Sequence, residues 1–155
     1  PFESKDVKET YKKIYLNSDK PNTKPYDGIV EILYNLKDAG LKIAVNTNKR
    51  QELTQDLCEK LFSFIDFVSI VGYQEDFPSK PYPDGIYKIL ELTDVPKEDA
   101  VYIGDGKSDI DAADNAGIDC ILVNWGQGTK ADKSDERICF LARTPKDILK
   151  ILEKD

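Results

Sequence analysis

The spacing of apolar residues changes from segment to segment along this chain, and each spacing predicts an element. Val7, Tyr11, Ile14 and Tyr15 recur at helical intervals with charges between them, which predicts a first helix. Pro21 and Pro25 bracket a short polar linker. Ile29, Ile32, Leu33 and Leu36 predict a second helix, stopped by Gly40. Short apolar runs then alternate with helical patterns. Strands are expected at 41–45, 67–71, 100–103 and 120–123, with a less apolar run at 138–142. Helices are expected around Leu53, Leu57 and Leu61 and around Ile86, Ile89 and Leu90. Thr144-Pro145-Lys146-Asp147 reads as a capping box with proline at the first helical position, so a terminal helix should cover 145–153. Strands alternating with helices imply a parallel α/β sheet. Ligands of such sheets bind beyond the carboxyl ends of the strands, so each strand-end loop is read for chemistry.

Composition narrows that chemistry. The chain has 155 residues, enough for one domain with a real core. Its net charge, 22 minus 29 or −7, argues against nucleic acid or an anionic membrane as partner. No apolar run approaches the roughly 18 residues of a membrane span, and the opening residues do not read as a signal peptide. The three cysteines, Cys58, Cys120 and Cys139, are odd in number and have apolar neighbours. They predict reduced thiols and a cytoplasmic protein. There is no histidine, which removes Ser-His-Asp and Cys-His catalysis and His-ligated zinc. Acid–base work falls to carboxylates, lysine or tyrosine, and a hard metal with oxygen ligands is the natural electrophile.

Three strand ends carry candidate groups. Asn46-Thr47-Asn48-Lys49 offers a hydroxyl, an amide and backbone N–H groups, an anion-binding nest if a helix starts there. Lys80 lies in Ser79-Lys80-Pro81-Tyr82-Pro83, where two prolines stiffen the chain and could hold its ammonium over a phosphate. Gly104-Asp105 ends a strand, and Asp109 follows in the first turn of a helix that Ser108 and Asp111 could cap. Gly106-Lys107-Ser108 resembles the end of a P-loop, but the glycine that motif requires falls on Val101, so the reading fails on spacing. Two converging carboxylates suit Mg²⁺, which takes one or two protein carboxylates, waters and phosphate. Each feature alone has a plainer reading: a helix cap, a turn, a solvated lysine. Together they describe a pocket for a phosphoryl group and Mg²⁺.

In order and spacing these residues resemble the motifs of the haloacid dehalogenase (HAD) superfamily. Thr47-Asn48 is similar to its second motif, Lys80 to the third-motif lysine, and Gly104-Asp105 through Asp109 to the fourth, Gly-Asp-x-x-x-Asp. The Thr-Asn-Lys form and the run Ala113 to Gly117 look like the phosphoglycolate-phosphatase-like branch. The resemblance implies an Mg²⁺-dependent phosphatase that hydrolyses a small phosphorylated metabolite through an aspartyl-phosphate. It casts Thr47 and Lys80 as catalytic. Thr47, Asn48 and Lys80 would bind the substrate phosphate, and Asp105 and Asp109 the metal. It also implies a HAD-type Rossmann-like parallel sheet with flanking helices. A phosphomutase, a pyrophosphatase or a dehalogenase of the same superfamily is the nearer alternative, a non-catalytic binding domain the more distant one. Trp125-Gly126 falls where the family has a loop near the site entrance, though an ordinary half-buried tryptophan explains it as well.

The first family motif, an apolar strand followed by Asp-x-Asp-Gly-Thr, is absent from this chain. The core is therefore expected to lack its first, central strand and most of a helical cap. Residues 1–20 are expected to be the cap's last part and its hinge, and residues 21–155 an incomplete α/β core. Without its central strand the sheet would leave backbone groups unpaired on both flanks. The reading is of a fragment of a longer phosphatase, with no nucleophile of its own and no turnover alone. Its oligomeric state is open, since an incomplete sheet could pair with another copy.

Overall fold

The computed structural model describes residues 11–14, 28–126 and 128–153. In chain order the elements are β1 Tyr11–Ile14, α1 Ile29–Asp38, β2 Lys42–Arg50, α2 Gln51–Leu61, β3 Ser69–Tyr73, α3 Asp84–Thr93, β4 Ala100–Gly104, α4 Lys107–Ala116, β5 Asp119–Val123, α5 Lys130–Lys133, β6 Phe140–Ala142 and α6 Pro145–Glu153. The strands form a single parallel sheet in the order β3-β2-β1-β4-β5-β6. The expected α/β class is what the chain adopts.

Alternating side chains along each inner strand divide the core between two faces. On one face Ala44, Tyr102 and Leu122 pack with Ile86 and Ile89 of α3 and Ile110 and Ala113 of α4. On the other, Ile43, Ile103, Ile121 and Val123 pack with Ile32, Leu33 and Leu36 of α1 and Ile148 and Leu152 of α6. Both faces of the sheet are covered, so β4 and β5 read as nearly continuous apolar runs. The strand order reverses between β2 and β4, and it is beyond the carboxyl ends of such strands that parallel sheets bind ligands; Thr47 lies at the end of β2 and Asp105 just past β4.

The first segment departs from its sequence reading. Tyr11–Ile14 form a strand, not part of a helix, and occupy the central position expected to be vacant. Tyr11 to Lys13 pair with Lys42 to Ala44, and Tyr11 to Ile14 pair with Ala100 to Ile103. The demand is tertiary: two buried strands with open N–H and C=O groups outweigh the helical spacing of four residues. The remainder of the predicted first helix and the proline-bracketed linker lie outside the described residues.

Two helix starts also differ. β2 runs on through Arg50, with its register to β3 shifting between Asn46 and Arg50, and α2 begins only at Gln51. Asn46 to Lys49 are thus an irregular strand end, not a helix N-terminus. α4 begins at Lys107 with Gly106 as N-cap, and no side chain caps it. Asp111, expected to close a box with Ser108, is drawn off by Lys107 Nζ at 2.8 Å and Arg137 Nη1 at 2.9 Å. No helix among the described residues is long and apolar enough to cross a membrane.

Candidate active site

Gly104 explains how the strand tip and the helix after it meet. A Cβ on Gly104 would overlap the Asp109 Cβ and lie 2.6 Å from its Oδ2. With that space empty, Asp109 folds back and its Oδ2 accepts the Asp105 N–H at 3.0 Å. The Gly-Asp-x-x-x-Asp spacing is thus a packing requirement: the glycine makes room for the second aspartate against the backbone of the first.

The other oxygen of Asp109 receives the lysine. Lys80 Nζ lies 2.6 Å from Asp109 Oδ1, with both side chains almost wholly buried (2% and 1% exposed). Burial pulls the Lys80 ammonium below the ordinary lysine range, while Asp109 and then Asp105 push it back up. Tyr102, fully buried on β4, brings its hydroxyl 2.9 Å from the same Asp109 oxygen and 3.2 Å from the Asn46 carbonyl. It has one proton to give, and the nearer, charged acceptor takes it. Burial, then the neighbouring Asp109 charge, raises the Tyr102 hydroxyl well above its usual value, so it stays a neutral donor.

Asn48 does something the sequence did not announce. Its Oδ1 accepts the Lys80 N–H at 2.9 Å, and its Nδ2 donates to the Lys80 carbonyl at 3.2 Å. The amide acts as a short length of strand, pinning the Lys80 backbone to the end of β2. Asn48 was expected to contact phosphate; the geometry engages it in placing Lys80. Thr47, 3% exposed, accepts the Lys49 N–H at 3.2 Å. Asn46 is buried against Gly85, where a Cβ would overlap its Oδ1. Tyr102 did not stand out in the sequence, because it lies in an apolar strand pattern and its partner Asn46 is 56 positions away.

Thr47, Lys80, Asp105 and Asp109 are therefore brought together at the carboxyl ends of β2 and β4, all of them buried. Among the described residues no group of three or more acidic, histidine or cysteine side chains could hold a metal ion. Among the described residues, open grooves lie elsewhere, one between α1 and α6 and one beside Arg50 and Tyr73. The convergent chemistry, not the size of a hollow, marks the site. Trp125 is half-buried and packs on the α1–α6 face, the ordinary role weighed for it.

A family model for haloacid dehalogenase-like hydrolases matches residues 1–123. The chain belongs to the haloacid dehalogenase-like hydrolase family. Its relatives within this family include a phosphoglycolate phosphatase of Aquifex aeolicus, 32% identical over 145 residues, which are 94% of this chain and 67% of that protein. The pyrophosphatase PpaX of Bacillus cereus is 33% identical over 129 residues, 82% of this chain and 59% of that one. The solved structure of a proposed phosphoglycolate phosphatase from Lactobacillus delbrueckii subsp. bulgaricus superposes with a TM-score of 0.80 at 31% identity, covering 88% of this chain and 56% of that one. This haloacid dehalogenase-like chain thus spans between about half and two thirds of the length of these relatives.

Behind the site, Arg137 clasps α4. Its Nη1 pairs with Asp111 at 2.9 Å, while its Nε and Nη2 hold the two oxygens of Asp135 at 3.0 and 2.9 Å. The guanidinium holds the Asp135 carboxyl down at about 2. A carboxyl lowered on folding adds stability above its unfolded pKa of about 3.9 and loses it as pH falls toward the folded value. Carbon-13 titration should find Asp135 near 2 in the native protein. In Arg137→Met it should return toward about 3.9. An Asp135 that titrates alike in both proteins would mean the clasp does not exist in solution.

Proposed function

We propose that this chain is the greater part of a phosphatase that hydrolyses a small phosphomonoester, in the manner of the phosphoglycolate phosphatases. The carrying observation is the buried Lys80–Asp109 pair set beside Thr47 and Asp105 at a strand-order reversal. A buried cation held over an otherwise oxygen-lined site serves to offset charge on an incoming phosphoryl group. Thr47 would bind phosphoryl oxygens through its hydroxyl. Lys80 would neutralise phosphate and the nucleophile, and Asn48 would hold Lys80 in place. The nucleophile is an aspartate that this chain does not supply.

The donors present fit Mg²⁺ in kind: oxygen only, with Asp105 at the strand tip and Asp109 behind it. Asp105 would hold the ion, with Asp109 supporting it directly or through water. The remaining ligands would be water, phosphate and the absent nucleophile's carboxylate, consistent with the few protein ligands Mg²⁺ takes. When bound, the ion supplies Lewis-acid stabilisation of the phosphoryl oxygens. In the complete protein we assign residues 1–20 to the return from a helical cap and 21–155 to the core. Tyr11–Ile14 would leave the sheet for that protein's own first strand. Two lysines in four residues are poor material for a central parallel strand, which supports this assignment. The three free thiols, two of them buried, are consistent with the cytoplasm.

The test uses two preparations. The 155-residue chain should show no Mg²⁺-dependent turnover of p-nitrophenyl phosphate, because it has no nucleophile. The complete protein should turn it over, and a panel containing phosphoglycolate, inorganic pyrophosphate and a hexose phosphate should rank the phosphomonoester first. Preference for pyrophosphate would move the reading to the pyrophosphatases. A complete protein inert on every phosphate ester would leave a non-catalytic binding domain.

A further inference from the structure

The loop after β5 bears on the site through two glycines. A Cβ on Gly126 would overlap the Asp105 Cβ and lie 2.6 Å from Oδ2 and 2.8 Å from Cγ. A Cβ on Gly128 would overlap the Asp105 carbonyl oxygen. Neither is among the positive-φ glycines, which are Gly28, Gly40 and Gly117, so backbone freedom is not what these positions require. They require closeness. Gly106, next to Asp105 in the chain, has nothing within 4 Å of the same hypothetical atom. Space around Asp105 is closed on the side of this loop and open at Gly106.

The described residues on either side of these glycines are fastened. At the start of the loop the Asn124 N–H donates to the Ala142 carbonyl at 2.8 Å. Trp125 packs on the core beside α1 and α6. Thr129 and Asp132 exchange bonds of 3.1 and 2.9 Å in a capping box that opens α5. Beyond α5, Arg137 ties the stretch that leads to β6 to Asp111 of α4, the helix that carries Asp109. Asp105 is thus held on one side by Asp109 and on the other by a braced loop.

We propose that Gly126 and Gly128 are positioning residues for Asp105. They let the loop after β5 press against its side chain and backbone, and so fix where its carboxylate can hold a divalent cation. The cation part rests on the Mg²⁺ reading above; the positioning part does not.

The experiment compares Gly126→Ala with Gly106→Ala in the 155-residue chain. Without metal, native-state hydrogen exchange is read at the Asp105 amide. Displacing Asp105 breaks its bond to Asp109, so protection should fall about tenfold in Gly126→Ala, a local opening. It should stay within about twofold in Gly106→Ala, where the added methyl meets open space. With Mn²⁺ alone, followed by electron paramagnetic resonance, Gly126→Ala should bind about tenfold more weakly than wild type, the usual effect of disturbing a ligand's support. Arg137→Met, remote from Asp105, serves if Gly126→Ala fails to fold; it should reduce Asp105 protection by loosening the loop. Unchanged Asp105 protection in a folded Gly126→Ala, or in Arg137→Met where that variant must stand in, overturns the proposal. If Asp105→Asn binds Mn²⁺ as well as wild type, the metal reading falls instead, and positioning is decided by exchange.

Discussion

Replacing Asp109 by asparagine is expected to destabilise the fold by about 3–5 kcal/mol, the usual effect of removing one half of a buried ion pair. The reason lies in what surrounds the carboxylate. Oδ1 faces two donors, Lys80 Nζ and the Tyr102 hydroxyl, and Oδ2 faces a third, the Asp105 N–H. An amide has one acceptor end. Whichever way it turns, its NH₂ meets a donor, and Lys80 loses the buried carboxylate it pairs with at 2.6 Å. Urea unfolding should show the midpoint fall with an unchanged slope. Adding Lys80→Met should return part of the loss, since the buried charge that Asp109 offset goes with it. A single Asp109→Asn variant within about 1 kcal/mol of wild type would show that the pair does not hold this corner of the fold.

Gly104→Ala is the second large effect, and it is steric. The new methyl meets the Asp109 Cβ, an atom close to the backbone of α4 and not the yielding end of a long side chain. Either β4 or the first turn of α4 must move, and both are anchored in one core cluster, β4 through Tyr102 and α4 through Ile110. Overpacking of this kind typically loses about 1–3 kcal/mol. The Asp105–Asp109 bond should be lost with it. A thermal melt of Gly104→Ala should therefore fall well below that of Gly106→Ala. Equal melting temperatures would mean that α4 slides freely on the strand tip.

Features written locally were legible in the sequence. Thr144-Pro145-Lys146-Asp147 announced α6, and the helix runs over Pro145–Glu153 with Asp147 Oδ2 accepting the Thr144 N–H at 3.2 Å. Gly104-Asp105 and Asp109 announced a strand tip and a helix turn, and those are what they form. Thr129-Lys130-Ala131-Asp132 carried a capping-box signal that went unread, and α5 starts there. Other features depend on residues far apart in the chain. Asn48 grips Lys80 across 32 positions, and Tyr102 meets Asn46 across 56, so no window of sequence contains either pair. Tyr11–Ile14 joined the sheet because of open strand edges provided by residues 42 to 44 and 100 to 103. Local spacing could not foresee that demand.

The strand order has a mechanical consequence. The β3–β2 pair and the β4–β5–β6 trio meet within the sheet only through the four residues of β1. That junction is a seam, and the candidate site lies astride it. Thr47 and Asn48 ride on one panel, Asp105 on the other. The rivets across the join are polar: Asn46 Nδ2, which donates to the Tyr102 hydroxyl at 3.5 Å, and Lys80, gripped by Asn48, to Asp109. The polar groups of the candidate site therefore also resist shear between the panels. A slide of the β3–β2 pair along the β4–β5–β6 trio would strain them first.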